Sequence, residues 1–167
     1  MNYAKIKTNC TSNGDGIRVA LFVSGCSFRC SFCQNKELWN PDYGKKFSNE
    51  IKEKMFDEVS KSHYNGISLL GGEPLYKNNI EEITKLAREF KERFPNKTSW
   101  LYTGNIYEAI SDYEILQYAD IVVDGLFEMD KFSPRLKFRG SSNQRIIDVK
   151  ETLLQKEIIL ATQYYER

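Results

Sequence analysis

No stretch of this 167-residue chain approaches the roughly 20 consecutive apolar residues that a bilayer span requires. The segment Met1–Cys10 carries lysines but no apolar run behind them that would resemble a secretory signal. A membrane protein is therefore not expected, and the compartment expected is the cytoplasm. Internal repeats, low-complexity tracts and Pro/Gly/Ser-rich linkers are also missing, which makes a single domain over residues 1–167 the expectation. An excess of charge of one sign is absent too. The formal net charge is +1, which gives no bulk attraction to a polyanion, so neither nucleic acid nor membrane is expected as a partner. The one basic stretch, with Lys131, Arg135, Lys137, Arg139 and Arg145, reads on its spacing as a solvated loop.

Cysteine is scarce and unevenly placed. Of the four, Cys10 stands alone while Cys26, Cys30 and Cys33 crowd into one loop, a pattern that suits a metal set plus a spare thiol better than disulfides. Otherwise the composition is that of a globular protein, 41% hydrophobic and 28% charged, and a domain near this size buries about 68–70% of the surface its unfolded chain exposes.

The hydrophobic pattern alternates. Arg18–Ser24 is a short apolar run ending at Gly25 and the cysteines, which predicts a buried strand feeding a functional turn. From Ser48 to Lys61, Ile51, Met55 and Val59 recur at helical spacing behind a serine suited to an N-cap. Gly66–Leu70 predicts a second strand, and Asn79–Phe94 a helix with Ile80, Ile83, Leu86, Ala87 and Phe90 on one face. Ser99–Thr103, Tyr107–Tyr118 and Asp120–Asp124 continue as strand, helix and strand. Such alternation implies an α/β fold, a mostly parallel sheet with helices over it, and its short length implies a barrel closed only in part. In such folds chemistry collects at the carboxyl ends of the strands. Cys26–Cys33, Gly71–Pro74, Thr103–Asn105 and Asp124–Gly125 all fall there.

The spacing Cys-x3-Cys-x2-Cys supplies three thiolates from one loop, the ligands that iron–sulfur clusters commonly take. Three ligands for four irons leave one iron open to bind and reduce a substrate. The alternative is a zinc knot, for which four Cys or His ligands are usual, and only His63 and Cys10 are left to complete it. An all-cysteine electron carrier would likewise need Cys10. His63, near the end of a helical segment, suits the helix surface better than acid–base chemistry. Asn35 suits support of the cysteine loop through backbone hydrogen bonds.

The cysteine triplet with Phe32 directly before its third member, followed one strand and helix later by Gly71-Gly72-Glu73-Pro74, resembles the radical S-adenosylmethionine superfamily. Three further stretches are similar to its anaerobic ribonucleotide reductase activating branch: Asn13-Gly14-Asp15-Gly16-Ile17-Arg18, Trp100-Leu101-Tyr102-Thr103-Gly104 and Arg139-Gly140-Ser141-Ser142-Asn143-Gln144-Arg145. The likeness runs from Met1 to about Leu160. It departs in reading Gly-Asp-Gly where many relatives have Gly-Pro-Gly, and Asn105 where some have tyrosine. Lacking further cysteine sets, the chain resembles the small activases with one cluster.

The resemblance implies that Cys26, Cys30 and Cys33 hold a [4Fe–4S] cluster whose open iron takes the methionyl amine and carboxylate of S-adenosylmethionine. Gly71, Gly72 and Glu73 would receive the methionyl end, with Pro74 stiffening the loop, Phe32 packing beside the adenine and Thr103 bonding the ribose. Asp124 is placed by strand position to reach the cofactor or simply to end its strand. A flavodoxin-type donor would supply one electron, and the 5′-deoxyadenosyl radical released would take a hydrogen from a glycine of anaerobic ribonucleoside-triphosphate reductase. Hydrogen-atom abstraction asks for no general acid or base. Two other readings are a small-molecule radical enzyme related to 7-carboxy-7-deazaguanine synthase and a zinc-binding nucleic-acid module. Whether Arg139–Arg145 faces partner or cofactor is left open.

Overall fold

The computed structural model describes residues 1–165; positions 166 and 167, the last of the expected single domain, lie outside the described residues. In chain order the strands are β1 (Asn2–Cys10), β2 (Arg18–Val23), β3 (Lys45–Lys46), β4 (Gly66–Gly71), β5 (Thr98–Tyr102), β6 (Ile121–Asp124) and β7 (Arg145–Asp148). The helices are α1 (Asn49–Ser60), α2 (Ile80–Arg93), α3 (Tyr107–Ile110) and α4 (Val149–Gln155). The strands form one sheet in the order β3-β1-β2-β4-β5-β6-β7. Its centre, β2-β4-β5-β6, is parallel, while β1, β3 and β7 pair antiparallel at the flanks.

The sheet has two different faces. Leu21, Leu69, Leu101, Val122 and Ile147 lie side by side across five strands. All five belong to the main core, packed with Met55, Phe56 and Val59 of α1 and Ile83, Leu86 and Phe90 of α2. Side chains of successive strand residues point to opposite faces, so Phe22, Leu70, Tyr102 and Val123, one position further along, turn to the other face. There they line an open cavity instead of meeting helices.

The expected central strands and the first two helices are present. Ser48 caps α1 as expected, its Oγ accepting from the Ile51 amide at 3.3 Å. The helix expected over Tyr107–Tyr118 is instead the single turn of α3 followed by a 3-10 turn at Glu114–Gln117. Ser111 and Asp112 interrupt it, the Ser111 hydroxyl donating to the Glu108 carbonyl at 3.3 Å, as short polar side chains do when they compete with helical bonding. The stretch read as a basic loop leads at Arg145 into β7, whose Ile146 and Ile147 are fully buried. β1 escaped the pattern because its polar, largely uncovered residues and two register irregularities leave little alternation to detect.

At the amino edge of the parallel strands Arg18 is wholly buried without a carboxylate partner. Its five N–H groups go to Ser68 Oγ, Thr98 Oγ1 and the carbonyls of Asp15, Ile67 and Thr98. Burial pushes its pKa down to about 10. The arginine of the Asn-Gly-Asp-Gly-Ile-Arg stretch thus clamps β2, β4 and β5 together, over the Trp100 ring at 5.6 Å.

Candidate functional site

A cavity of about 420 Å³ opens beyond the uncovered sheet face. Cys26, Cys30 and Cys33 line it together with Gly71, Gly72, Glu73, Thr103, Gly104, Gly125 and Arg139. The carboxyl-edge loops therefore do converge.

Two of these loops are stitched together by backbone. The Gly72 amide donates to the Val23 carbonyl at 2.8 Å and the Glu73 amide to the Gly25 carbonyl at 2.8 Å, while the Gly25 amide reaches the Leu38 carbonyl at 2.7 Å. A Cβ on Gly72 would stand 2.6 Å from the Gly25 oxygen and 2.9 Å from that of Leu38. Gly71 has φ +115°, and its Cβ would meet Val23 backbone at 2.5 Å. Both glycines are thus demanded first by the chain's own packing. Asn79 completes the joint: buried at the start of α2, its Nδ2 donates to the Ser24 carbonyl at 2.8 Å and the Glu73 carbonyl at 3.0 Å. Sequence reasoning took Asn79 only as a helix boundary.

Glu73 is 3% exposed. Its Oε1 accepts from the Leu75 amide and Thr103 Oγ1, both at 2.9 Å, and its Oε2 from the Gly104 amide at 2.8 Å. Burial nevertheless raises its pKa above the usual carboxylate value, against these three donors. Thr103 gives its hydroxyl proton to Glu73 and accepts from the Asn105 amide at 3.1 Å and Nδ2 at 2.9 Å. It is a holder of Glu73 in this arrangement.

Asp124 is 1% exposed and is not among the lining residues. Its carboxylate accepts from the Tyr107 amide at 2.8 Å, which starts α3, and from the Arg145 guanidinium, which also pairs with Glu108. Those ion pairs hold the Arg145 pKa above its ordinary value. Phe32 is 67% exposed and does not line the cavity; Phe28 does. Pro74 is buried behind the Gly-Gly-Glu turn. Asn35 lines the cavity and its carbonyl accepts from the Leu38 amide at 3.0 Å. His63 is exposed beyond α1, its ring 4.1 Å from that of Tyr64.

In the cysteine loop Arg29 (φ 52°) and Phe32 (φ 62°) adopt left-handed backbone, a strain that functional loops tolerate. Burial raises the Cys26 and Cys30 thiols above their ordinary value. Among the described residues no three His, Cys, Asp or Glu side chains converge closely enough to hold one metal ion. A mononuclear zinc demands that convergence, with ligands about 2.0–2.3 Å from a single ion. A cubane cluster spreads its thiolates, one to each iron, so three cysteines around one cavity fit it. Cys10 is wholly buried outside the lining, its Sγ 3.3 Å from Asn13 Oδ1.

A thiolate loop at the carboxyl edge of a parallel sheet, turned toward a cavity large enough for a small cofactor, defines a cluster-carrying α/β protein. Residues 12–147 match the 4Fe-4S single cluster domain family. Proteins named anaerobic ribonucleoside-triphosphate reductase-activating protein align over nearly the whole chain. That of Enterobacteria phage T4 is 42% identical over 146 residues, covering 87% of this chain and 93% of its own length. Those of Vibrio cholerae and Escherichia coli K12 are each 34% identical, covering 87% and 86% of this chain and 97% and 96% of their own. The chain belongs to this family of activating proteins, of the radical S-adenosylmethionine type. Among the described residues no helix is long and apolar enough to cross a membrane.

Proposed function

We propose that this protein activates anaerobic ribonucleoside-triphosphate reductase by reductively cleaving S-adenosylmethionine at a [4Fe–4S] cluster and leaving a glycyl radical on the reductase. Support comes first from one observation: the cysteine loop and the Gly71–Pro74 loop are bonded backbone to backbone around a single cavity. In that reading Cys26, Cys30 and Cys33 hold the cluster. When bound, the cluster and its cofactor supply a one-electron reduction that breaks the C5′–S bond and yields an abstracting radical.

The chain's own residues position and shield that chemistry. Glu73, held by Leu75, Thr103 and Gly104, keeps one lone pair of Oε2 for the methionyl ammonium. Gly71 and Gly72, on the loop bonded to the start of the cysteine loop, would receive the methionyl end of the cofactor. Phe28, Leu126 and Phe127 form apolar wall suited to an adenine ring and to excluding water. In this reading the parallel strands belong to a barrel closed only in part, whose open side would admit a protein loop. Leu126, Met129 and Phe132, all exposed, lie on the segment beside that opening and suit contact with the reductase. A flavodoxin-type donor in the cytoplasm would deliver the electron.

The test is anaerobic: reconstitute with iron and sulfide, add dithionite and S-adenosylmethionine, then quantify 5′-deoxyadenosine and record EPR with and without an anaerobic ribonucleotide reductase. Cofactor cleavage with a glycyl signal on the reductase is expected. Cleavage with no such signal would move the substrate elsewhere, and no cleavage by a fully loaded cluster would overturn the proposal.

A further inference from the structure

Every Lys and Arg on α1 and α2 is ion-paired: Lys52 and Arg93 with Glu89, Lys54 with Glu50, Lys85 with Glu81, Arg88 with Glu114 and Lys91 with Asp120. The thiolate end of the molecule is different. Residues 1–46 hold seven Lys and Arg against three Asp and Glu, an excess that the rest of the chain reverses. Arg18 among them is buried. The others, Lys5, Lys7, Arg29, Lys36, Lys45 and Lys46, are all exposed and make no ion pair among the described residues.

Two of these cations belong to the cysteine loop and share one ring. Arg29 lies between Cys26 and Cys30, and Lys36 follows Cys33 closely. The Arg29 guanidinium stands 5.6 Å from the Trp39 ring centre and the Lys36 Nζ 6.0 Å from it, distances at which a cation is drawn to an aromatic face. Trp39 is itself tied to the loop, its carbonyl accepting from the Cys26 amide at 3.4 Å. Trp39 lines the cavity, but neither cation does. Phe32, directly before Cys33, is also outside the lining, 67% exposed and part of no core cluster. On the neighbouring strand Lys5 Nζ lies 4.7 Å from the ring centre of cavity-lining Phe22, which puts it on the helix-free side of the sheet.

The loop thus has an inner side that faces the cavity and an outer side that faces solvent. An exposed aromatic ring among unpaired cations is the composition of a contact surface, in which Arg and aromatic residues are enriched. The acids of the same region, Glu37 and Asp42, are outnumbered by exposed Arg29, Lys36, Lys45 and Lys46. A surface of this sign selects an acidic partner and speeds its encounter.

We propose that the outer side of the cysteine loop, with Arg29, Phe32 and Lys36 at its centre, is the docking surface of the one-electron donor, a flavodoxin-type protein that presents an acidic rim around its reduced flavin. This rests on the reading of the three cysteines as ligands of a reducible cluster. Docking there sets the donor against the backbone that carries Cys30 and Cys33, and it leaves Leu126, Met129 and Phe132, on a different segment, to the reductase. One electron passes to the cluster and the donor is oxidised by one electron; no bond forms or breaks. Cations at this place also favour the transfer, because local charge is one of the terms that set a cluster's potential.

The test uses the full chain with its cluster reconstituted, iron and sulfide content matched between variants, and a flavodoxin as the probe. Flavodoxin affinity is read by anaerobic calorimetry. The rate of cluster reduction is read by absorbance with reduced flavodoxin and, separately, with photoreduced deazaflavin, a small neutral reductant that needs no docking surface. Arg29→Glu combined with Lys36→Glu is expected to weaken flavodoxin binding and slow reduction by it about tenfold at low salt, with the difference shrinking at about 0.5 M salt. Reduction by deazaflavin is expected to stay within about twofold. Lys36→Glu alone, outside the cysteine triplet, is expected to give about a threefold loss, and Phe32→Ser a similar loss that salt does not relieve. Charge reversal at the far edge of the sheet, Lys150→Glu with Lys156→Glu on and just after α4, is expected to change flavodoxin binding by less than about twofold. Equal loss in that distant variant would reduce the effect to net charge and overturn the proposal, as would unchanged flavodoxin binding in the Arg29 and Lys36 double variant. A wild-type protein that deazaflavin cannot reduce would instead bring down the underlying reading and this inference with it.

Discussion

Gly72 is a glycine for want of room. A methyl group there would press on the Gly25 oxygen at 2.6 Å and the Leu38 oxygen at 2.9 Å, both backbone atoms that have no rotamer to escape into. Gly72→Ala is therefore expected to push the cysteine loop off the Gly71–Pro74 loop, lowering stability by roughly 1–3 kcal/mol and abolishing most cluster incorporation. Iron and sulfide content after reconstitution, beside denaturant unfolding of the apo-protein, checks both; normal cluster loading would refute it. Glu73 carries a prediction about pH. Burial raises its pKa in the folded chain above the unfolded value, so its protonation adds stability below the unfolded value, and that contribution is lost as pH rises through the folded one. The stability of the wild-type apo-protein relative to Glu73→Gln is thus expected to be greatest at and below the unfolded carboxylate value of about 4 and to decline as pH rises above it. Unfolding curves across that range decide it, and a flat or rising difference would contradict the direction. The sequence made Glu73 visible through its motif, whereas Asn79, which ties Ser24 to Glu73, carries no motif and is found only by following its two hydrogen bonds.

Within the sheet, the row Leu21–Leu69–Leu101–Val122–Ile147 joins strand to helix layer, because each of these side chains lies under α1, α2 or their neighbours. Leu101 sits at its centre and is 1% exposed. Leu101→Ala is expected to cost about 2–5 kcal/mol in denaturant unfolding while leaving the cavity-facing residues in place, since its side chain points away from them. A change below about 1 kcal/mol would place it outside the core. The elements that could be read from the sequence are those whose burial is uniform or helically periodic: β2, β4, β5, β6, α1 and α2. Those that could not are β1, whose exposed residues follow no clean alternation, and the Tyr107–Tyr118 segment, where Ser111 and Asp112 break a helix that the apolar positions alone would continue.

For the molecule as a whole, covering one sheet face with helices and leaving the other to the cavity creates an open side beside the cysteines. Met129, 48% exposed on the segment between β6 and β7, has no packing duty in any core cluster. Met129→Glu is expected to leave reductive cleavage of S-adenosylmethionine by the isolated protein within about twofold. It should cut glycyl-radical formation on the reductase by about tenfold, the scale of a modest interface residue. Loss of both activities together, or of neither, would remove Met129 from the contact surface.

Local chemistry is written along the chain, so the sequence alone determined the thiolate set, the Gly-Gly-Glu-Pro turn, the alternation of strand and helix and the membership these motifs imply. Only the tertiary structure decided how the residues divide their work. Which partners Thr103 and Asp124 take depends on hydrogen bonds between residues 17 to 30 positions apart: Thr103 with Glu73, and Asp124 with Tyr107 and Arg145. Spacing along one strand cannot encode such pairings, because they come into being only when the sheet brings its carboxyl edge together.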